Sequence, residues 1–308
     1  MSANINSLAP ISLKIAGAPS DVVIAVENHA FSADIISNPH FHSGNTAPTQ
    51  VTVPGANPKI TFSTPFKTAF DLLGLGIIKL EKLDVYLSKY IDFVRSPNSD
   101  HTRITLSAGA FAAIQITSWS VNVDGILMAD VSVDLLSDDQ VHPFVFETNV
   151  ALPTLAGNPA LHTLGPARIN NVIIPGCSSD SGDIGGTTIV QRNDGDLYPR
   201  VAARTQIAPT AKIAHEDPVA VLAALGLLGT NITAATELFF KAYDVVTGVV
   251  SQLGGIKIAI GKGRIHPDGW NAPQGGVAST GLTIIGIVDD GVSNPFTVTT
   301  GVTVPNVA

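Results

Sequence analysis

Asp138-Asp139 followed by Pro143-Phe144 closes one stretch of this chain, and Asp289-Asp290 followed by Pro295-Phe296 closes another. The acidic pairs lie 151 positions apart and the Pro-Phe pairs 152. Outward from these, the same spacing returns. Trp119 and Trp270, the two tryptophans of the sequence, are 151 apart. Leu73-Gly74 and Leu225-Gly226 are 152 apart, as are Pro153 and Pro305, and Pro58-Lys59-Ile60 matches Ala211-Lys212-Ile213 at 153. So steady a register predicts two copies of one folding unit. A fused duplicate fills two near-equivalent places in a symmetric assembly, whereas an active site needs only one.

The C-terminal copy reads as a series of strands. Ala167 to Ile174 is a short strand ended by Pro175-Gly176, and Cys177 to Gly186 is a Ser/Gly/Asp loop. Thr187 to Val190 turns at Asn193-Asp194-Gly195-Asp196 and returns through Pro199 to Ile207, with Thr210 to Ala214 continuing it. His215-Glu216-Asp217-Pro218 starts a helix that Gly226 and Gly229 stop, and Ser63 to Gly74 is its Pro65-started counterpart. Strands follow at Thr236–Tyr243 (matching Lys82–Tyr90), Gly255–Ile260 and Gly276–Val288. The last matches Ile126–Leu136, where Val131, Val133 and Leu135 alternate with Ser132 and Asp134. Each copy then ends in a β run, Val145–Leu152 or Thr297–Val304. The fold class expected is all-β with one short helix per repeat. It comprises two tandem β-sandwich or barrel domains, 1–153 and 167–308, joined by a linker at 154–166.

The 308 residues suffice for two such domains, each able to bury a core. Charged residues are 14 % of the chain, against about 25 % in typical domains. A surface so poor in charge is expected either to be covered by other subunits or to be rich in Thr, Ser and Gly. A net charge of −8 argues against a dedicated nucleic-acid binder, which needs clustered Lys and Arg. Cys177 is the sole cysteine, so no intrachain disulfide and no thiolate metal cluster is expected. The N-terminus lacks a basic and apolar signal pattern, and the apolar run Pro218–Leu228 is too short to span a bilayer. Folding in a reducing cytoplasm, with no membrane partner, follows as an expectation.

Patterns that carry chemistry are weak. His40 and His42 alternate on an extended segment, but the second half has no histidine there and no third ligand is near. Asp180-Ser181-Gly182-Asp183 lacks the closing Glu of a calcium loop. Gly261-Lys262-Gly263 lacks the P-loop spacing and its Ser/Thr. The paired aspartates read as solvated turns. Trp119, Trp270, Pro143, Phe144, Pro295 and Phe296 are read as structural anchors. No catalytic, metal or cofactor site is expected, and no enzyme activity.

The order in each half is a strand hairpin, a strand, a short helix, a strand and a long two-strand return. In element order and texture it resembles the tail tube proteins of long-tailed bacteriophages, most closely at Pro199–Asp217, the Pro218–Gly226 helix, Gly263-Arg264-Ile265 and Gly276–Val288. The resemblance implies β-sandwich subunits in hexameric rings, with a long hairpin lining the lumen, loops and arms linking stacked rings, and a helix outside. A fused pair implies that three chains make one pseudo-sixfold ring. It further implies a virion protein assembled in the bacterial cytoplasm, with itself and other virion proteins as partners. DNA would pass without specific binding. The hairpins at Thr187–Ile207 and around Val22–Val53 are the candidate lumen strands, and Arg192, Arg200 and Arg204 the candidate lumen or inter-subunit residues. A double jelly-roll major capsid protein forming pseudo-hexagonal trimers is the alternative. A pair of carbohydrate-binding sandwiches fits less well, since aromatics are only 6 %.

Overall fold

A computed structural model describes the chain except residues 1–3, 42–45, 92–93, 97–98, 156–159, 175, 218, 220, 222–224, 226–227, 272–273, 275–277, 290–293 and 307–308. The N-terminal half runs β1 (Asn4–Ile15), β2 (Val22–Ile24), β3 (Asn28–Ser32), β4 (Ile35–His40), β5 (Gln50–Ala56), β6 (Lys59–Thr64) and α1 (Lys67–Leu73). It continues through β7 (Ile78–Ile91), β8 (Val94–Arg95), β9 (His101–Leu106), β10 (Ala110–Asn122), β11 (Met128–Ser137) and β12 (Phe144–Val150). The C-terminal half runs β13 (Leu161–Ile169), β14 (Val172–Ile174), β15 (Cys177–Asp183), β16 (Gly186–Gln191), β17 (Val201–Ile207) and β18 (Thr210–His215). Then come β19 (Thr230–Asn231), β20 (Thr236–Tyr243), β21 (Val250–Ile260), β22 (Gly263–Asn271), β23 (Ser279–Gly286) and β24 (Phe296–Val302). The chain is all-β, and no sheet closes into a barrel among the described residues.

Ladder pairing sorts the N-terminal strands into two layers and a hairpin. One layer orders β2-β1-β7-β9-β12, the other β3-β6-β11-β10, and β4 pairs with β5. The C-terminal strands pair in the same order: β14-β13-β20-β21-β24, β15-β18-β23-β22, and β16 with β17. One ladder fuses the halves, β10 running antiparallel to β15 from Ser118–Asp183 to Asn122–Ser179. A continuous eight-stranded sheet, β3 to β22, results. Its inner face carries Ile60, Phe62, Ile114, Val131, Val133, Ile213, Leu282 and Ile284, all at most 2 % exposed. The period-two alternation that buries them is what pins each strand's register.

That register corrects one sequence match. Phe62 opposes Val131 on β11, and Ile213 opposes Leu282 on β23. β6 and β18 also share one burial alternation, with Ile60, Phe62 and Thr64 answering Ala211, Ile213 and His215. The equivalent of Lys212 is therefore Thr61, at 151 positions, and not Lys59. A two-residue slip keeps every side chain on its face, so one shared lysine on the outward face could mislead the alignment.

Three further readings change. Within the segment 154–166, Leu161–Pro166 belong to a strand, because Leu161 already pairs with Tyr243 in β13–β20, and residues 156–159 lie outside the described residues. Cys177–Asp183 is a strand despite its loop-like composition, held on both sides by β10 and β18. The long hairpin placed at Val22–Val53 is only β4–β5, since β2 pairs with β1 and β3 with β6. Helix α1 ends at Gly74 (φ 51), whose N–H reaches Phe70 O at 3.1 Å, as read from the sequence. Its start differs: Phe66 is the N-cap, so Pro65 lies before the helix and not inside it. In the C-terminal half Val219, Val221 and Leu225 are helical, whereas Pro218 and Gly226 lie outside the described residues.

The β13–β14 hairpin shows how local chemistry sets a turn. Asn170 (φ 47) and Asn171 (φ 69) take the two left-handed positions of a two-residue loop. Asn170 Oδ1 also accepts the N–H groups of Thr233 at 2.8 Å and Ala234 at 3.2 Å. Replacing Asn170 by Ala is expected to cost about 2–3 kcal/mol, through positive φ and two orphaned donors. Asn170→Gly should recover about 1 kcal/mol of that, the conformational part. Urea unfolding of the three proteins measures both steps; equal losses for Ala and Gly would refute the division.

Candidate assembly interface

The β10–β15 joint is the most specific arrangement in the molecule. Trp119 lies opposite Gly182 and is 1 % exposed, its indole packed across the glycine. A Cβ on Gly182 would come within 1.9 Å of Trp119 Cζ2, so only glycine admits the ring. The indole reaches the C-terminal core, 6.0 Å from the Phe296 ring, and its Nε1 donates to Asp180 Oδ1 at 3.3 Å. Burial pushes the Asp180 carboxyl up to about 8, against the opposing effect of that hydrogen bond. The ladder is extended by Ile184 N–H to Thr117 O and Val123 N–H to Ser178 O, each 2.9 Å. Trp119 and Phe296 are thus one anchor spanning both halves, and Phe144 packs edge-on to Phe31 at 4.8 Å. Pro143 and Pro295 accept backbone N–H groups from Ser107 and Gly261. Trp270 lies in β22 opposite Thr280, and its side chain is outside the described part.

Polar contacts brace the joint on the outer side. Arg204 Nη1 donates to Leu75 O at 3.1 Å and Nη2 to Gln115 Oε1 at 2.6 Å, while Gln115 Nε2 donates to Thr188 at 2.7 Å. Arg204 therefore ties the β16–β17 hairpin of one half to β10 of the other. Arg200 forks onto Asp196 at 2.6 and 3.1 Å. Arg192 lies over Gly55 in the β4–β5 hairpin, where a Cβ would fall 1.2 Å from its Nη1. The three arginines thus have contacts within the chain, which the sequence had left open. What sequence reading missed was β15: its one signal was Gly182, a small residue at the place where a tryptophan crosses.

Other candidate chemistry is dispersed. His40 Nε2 hydrogen-bonds Thr52 Oγ1 at 2.9 Å on an exposed hairpin, and His42 lies outside the described residues. Asp139 Oδ1 accepts from Ser137 Oγ and Val141 N–H, which makes its turn, and Asp289 pairs with Lys262; Asp290 lies outside the described residues. A groove of about 610 Å³ borders Glu237, Lys262 and Asp289. Its charges are already paired, Glu237 with Arg168 at 2.8 Å and Lys257 at 2.9 Å. Among the described residues no three His, Cys, Asp or Glu side chains converge on a metal position, and no helix is long and apolar enough to cross a membrane. Exposed apolar side chains gather instead on β4–β5, with Ile35 60 %, Val51 59 % and Val53 51 % exposed. Patches of this kind mark contact surfaces.

No protein-family model and no curated protein sequence matches this chain. Function is read from geometry alone.

Two outcomes follow for the joint. Gly182→Ala is expected to displace the Trp119 indole and cost about 1–3 kcal/mol, with a red shift in tryptophan emission. An unshifted spectrum would show that the ring does not cross the glycine. Asp180 holds its proton in the folded state up to about pH 8, whereas the unfolded chain releases it near ~4. The unfolded state binds fewer protons in that window, so this residue makes stability fall as pH rises from about 4 to 8. Asp180→Asn should remove the effect. The stability of the variant relative to the original should grow toward pH 8, by at most about 1.4 kcal/mol per pH unit. Parallel unfolding curves at pH 5 and 8 would contradict it.

Proposed function

We propose that this chain is a structural subunit of a tail tube, a duplicated pair of β domains that assembles into stacked rings. Three chains supply six near-equivalent places in each ring. The observation that carries this reading is the β10–β15 joint, which links two alike-paired β units edge to edge. The corresponding outer edges, on β22 from Gly269 to Asn271 and on β3, have no ladder partner among the described residues, β19 pairing β22 only at Arg264 and Ile265. Open edges invite pairing, and a head-to-tail contact either closes into a ring or runs on as a filament.

Closure at three chains joins three eight-stranded sheets into one barrel of twenty-four strands. With strands about 4.8 Å apart and tilted by about 40°, its backbone diameter is about 5 nm. The face of the sheet turned away from the core is polar, with Thr61, Ser63, Ser118, Asp130, Asp183 and Lys212 on it. Ser63 and Ser118 both donate to Asp130, at 2.6 and 2.7 Å. Small hydroxyls and carboxylates outnumber the single lysine among these residues, and with the acidic net charge of the chain they disfavour a grip on phosphates, which suits a conduit for DNA passage. This face replaces the two hairpins as the proposed lumen. The apolar β4–β5 hairpin is then free to contact the next ring or other virion proteins. Assembly in a bacterial cytoplasm belongs to the same proposal.

Negative-stain microscopy of the purified protein tests it. Stacked rings or tubes roughly 10 nm wide are expected, sandwich layers about 10 Å apart being wrapped around the channel. Pseudo-hexagonal trimers that never stack would favour the double jelly-roll capsid reading. A monodisperse monomer at all concentrations would overturn both.

A further inference from the structure

The internal joint contains the instructions for an external one. β10 has two partners along its outer edge: residues 112–114 pair with the start of β7, and residues 118–122 pair with β15. β22 repeats the first of these, with Arg264 and Ile265 paired to β19. It also repeats the irregularity between them, the break at Ile116/Ser118 answering that at Pro267/Gly269. Beyond the break, Gly269 to Asn271 pair with β23 on one side and have no outer partner among the described residues. β3 is the matching half. It pairs with β6 as β15 pairs with β18, residue for residue: Asn28–Ser63 answers Ser179–Ala214, and Ser32–Lys59 answers Asp183–Thr210. Both strands then turn through a left-handed residue, Asp34 (φ 40) and Gly185 (φ 60). The other edge of β3, where β15 meets β10, is vacant among the described residues.

The two vacancies are complementary, and they lie on the first and last strands of the run β3-β6-β11-β10-β15-β18-β23-β22. We infer that β22 of one copy pairs antiparallel with β3 of a second copy in the register of the internal joint: Gly269 opposite Ser32, Trp270 opposite Phe31 and Asn271 opposite Ala30. The inference rests on the ring reading above and names its joint. The partner is another copy of this chain, because the receiving edge is the one that β15 already presents to β10 within the chain. Heterologous pairing of this kind leaves one new pair of free edges after each addition until the ring closes. The two joints differ in one respect: internally position 119 stands opposite a glycine, whereas position 270 would stand opposite Phe31.

Disulfide trapping tests the register in the full chain with Cys177→Ala as background. Ser120→Cys with Ser181→Cys reproduces the internal pair and should link within the chain, which checks that the geometry oxidises. Asn271→Cys with Ala30→Cys is the equivalent external pair. It is expected to give covalent dimers and trimers on a non-reducing gel, in most of the protein. Asn271→Cys with Asn28→Cys, two positions out of register, should give less than a tenth as much. Rings on the grid with neither pair linked, or with the shifted pair linked best, would overturn this joint and leave the ring reading standing. A protein that stays monomeric on the grid and unlinked on the gel would overturn both.

Discussion

Backbone hydrogen bonding at sheet ends governs this molecule. A strand with one paired side presents a row of N–H and C=O groups that must find a partner or stay in water. Between the two halves this demand is met where β10 and β15 turn two edges into the middle of the run from β3 to β22. Around that ladder sit the features that are otherwise hard to account for. They include a glycine that no other residue can replace, a carboxyl buried to 4 % exposure and an arginine reaching across from a hairpin. Each makes sense as part of a joint, and none as part of an isolated fold.

Much of the architecture could be read from residues with local rules. Asn193-Asp194-Gly195-Asp196 marks a turn by its Asp-Gly pair, and Gly195 indeed has φ 85. Gly255–Ile260 and Ile126–Leu136 show their alternation; β21 covers the first, and β11 covers the second from Met128 onward. Gly74 stops α1 as a glycine should. The failures are non-local. Cys177–Asp183 looks like a loop because Ser, Gly and Asp have low strand propensity, yet two flanking strands impose the extended form. Leu161–Pro166 looks like a linker until β20 is seen beside it. The site was hidden for the same reason, since neither Gly182 nor Trp119 announces the other across 63 positions.

The low charge of the chain takes on a definite location. The outward face of the eight-stranded sheet is furnished with hydroxyls that hydrogen-bond among themselves and to carboxylates, as Ser63, Ser118 and Asp130 do. Cations occur beside acids: Arg103 with Glu147 at 2.6 Å, Lys89 with Asp100 at 2.9 Å, Arg200 with Asp196 at 2.6 Å. Exposed pairs of this kind add little stability. They leave these cations partnered by acids, in keeping with the net acidic balance of the chain.

The two halves pair their strands alike but differ in sequence at the edge that meets β10 internally and at the edge proposed to meet a second copy. At one register place the C-terminal half has Gly182 and the N-terminal half Phe31; two residues away they have Asp180 and His29. In the C-terminal half the space above Phe296 is filled by Trp119 from the other half. In the N-terminal half the space above Phe144 is filled by Phe31 from β3 itself. The internal joint is never open in a folded chain, so its core can borrow a side chain from the neighbour. On the proposed assembly, an edge that waits in water for a second copy cannot, and a residue of its own must close the core until pairing occurs. Phe31 is that residue. On that proposal, the internal contact and the one made on assembly share one backbone ladder but differ in where the aromatic ring over the core comes from.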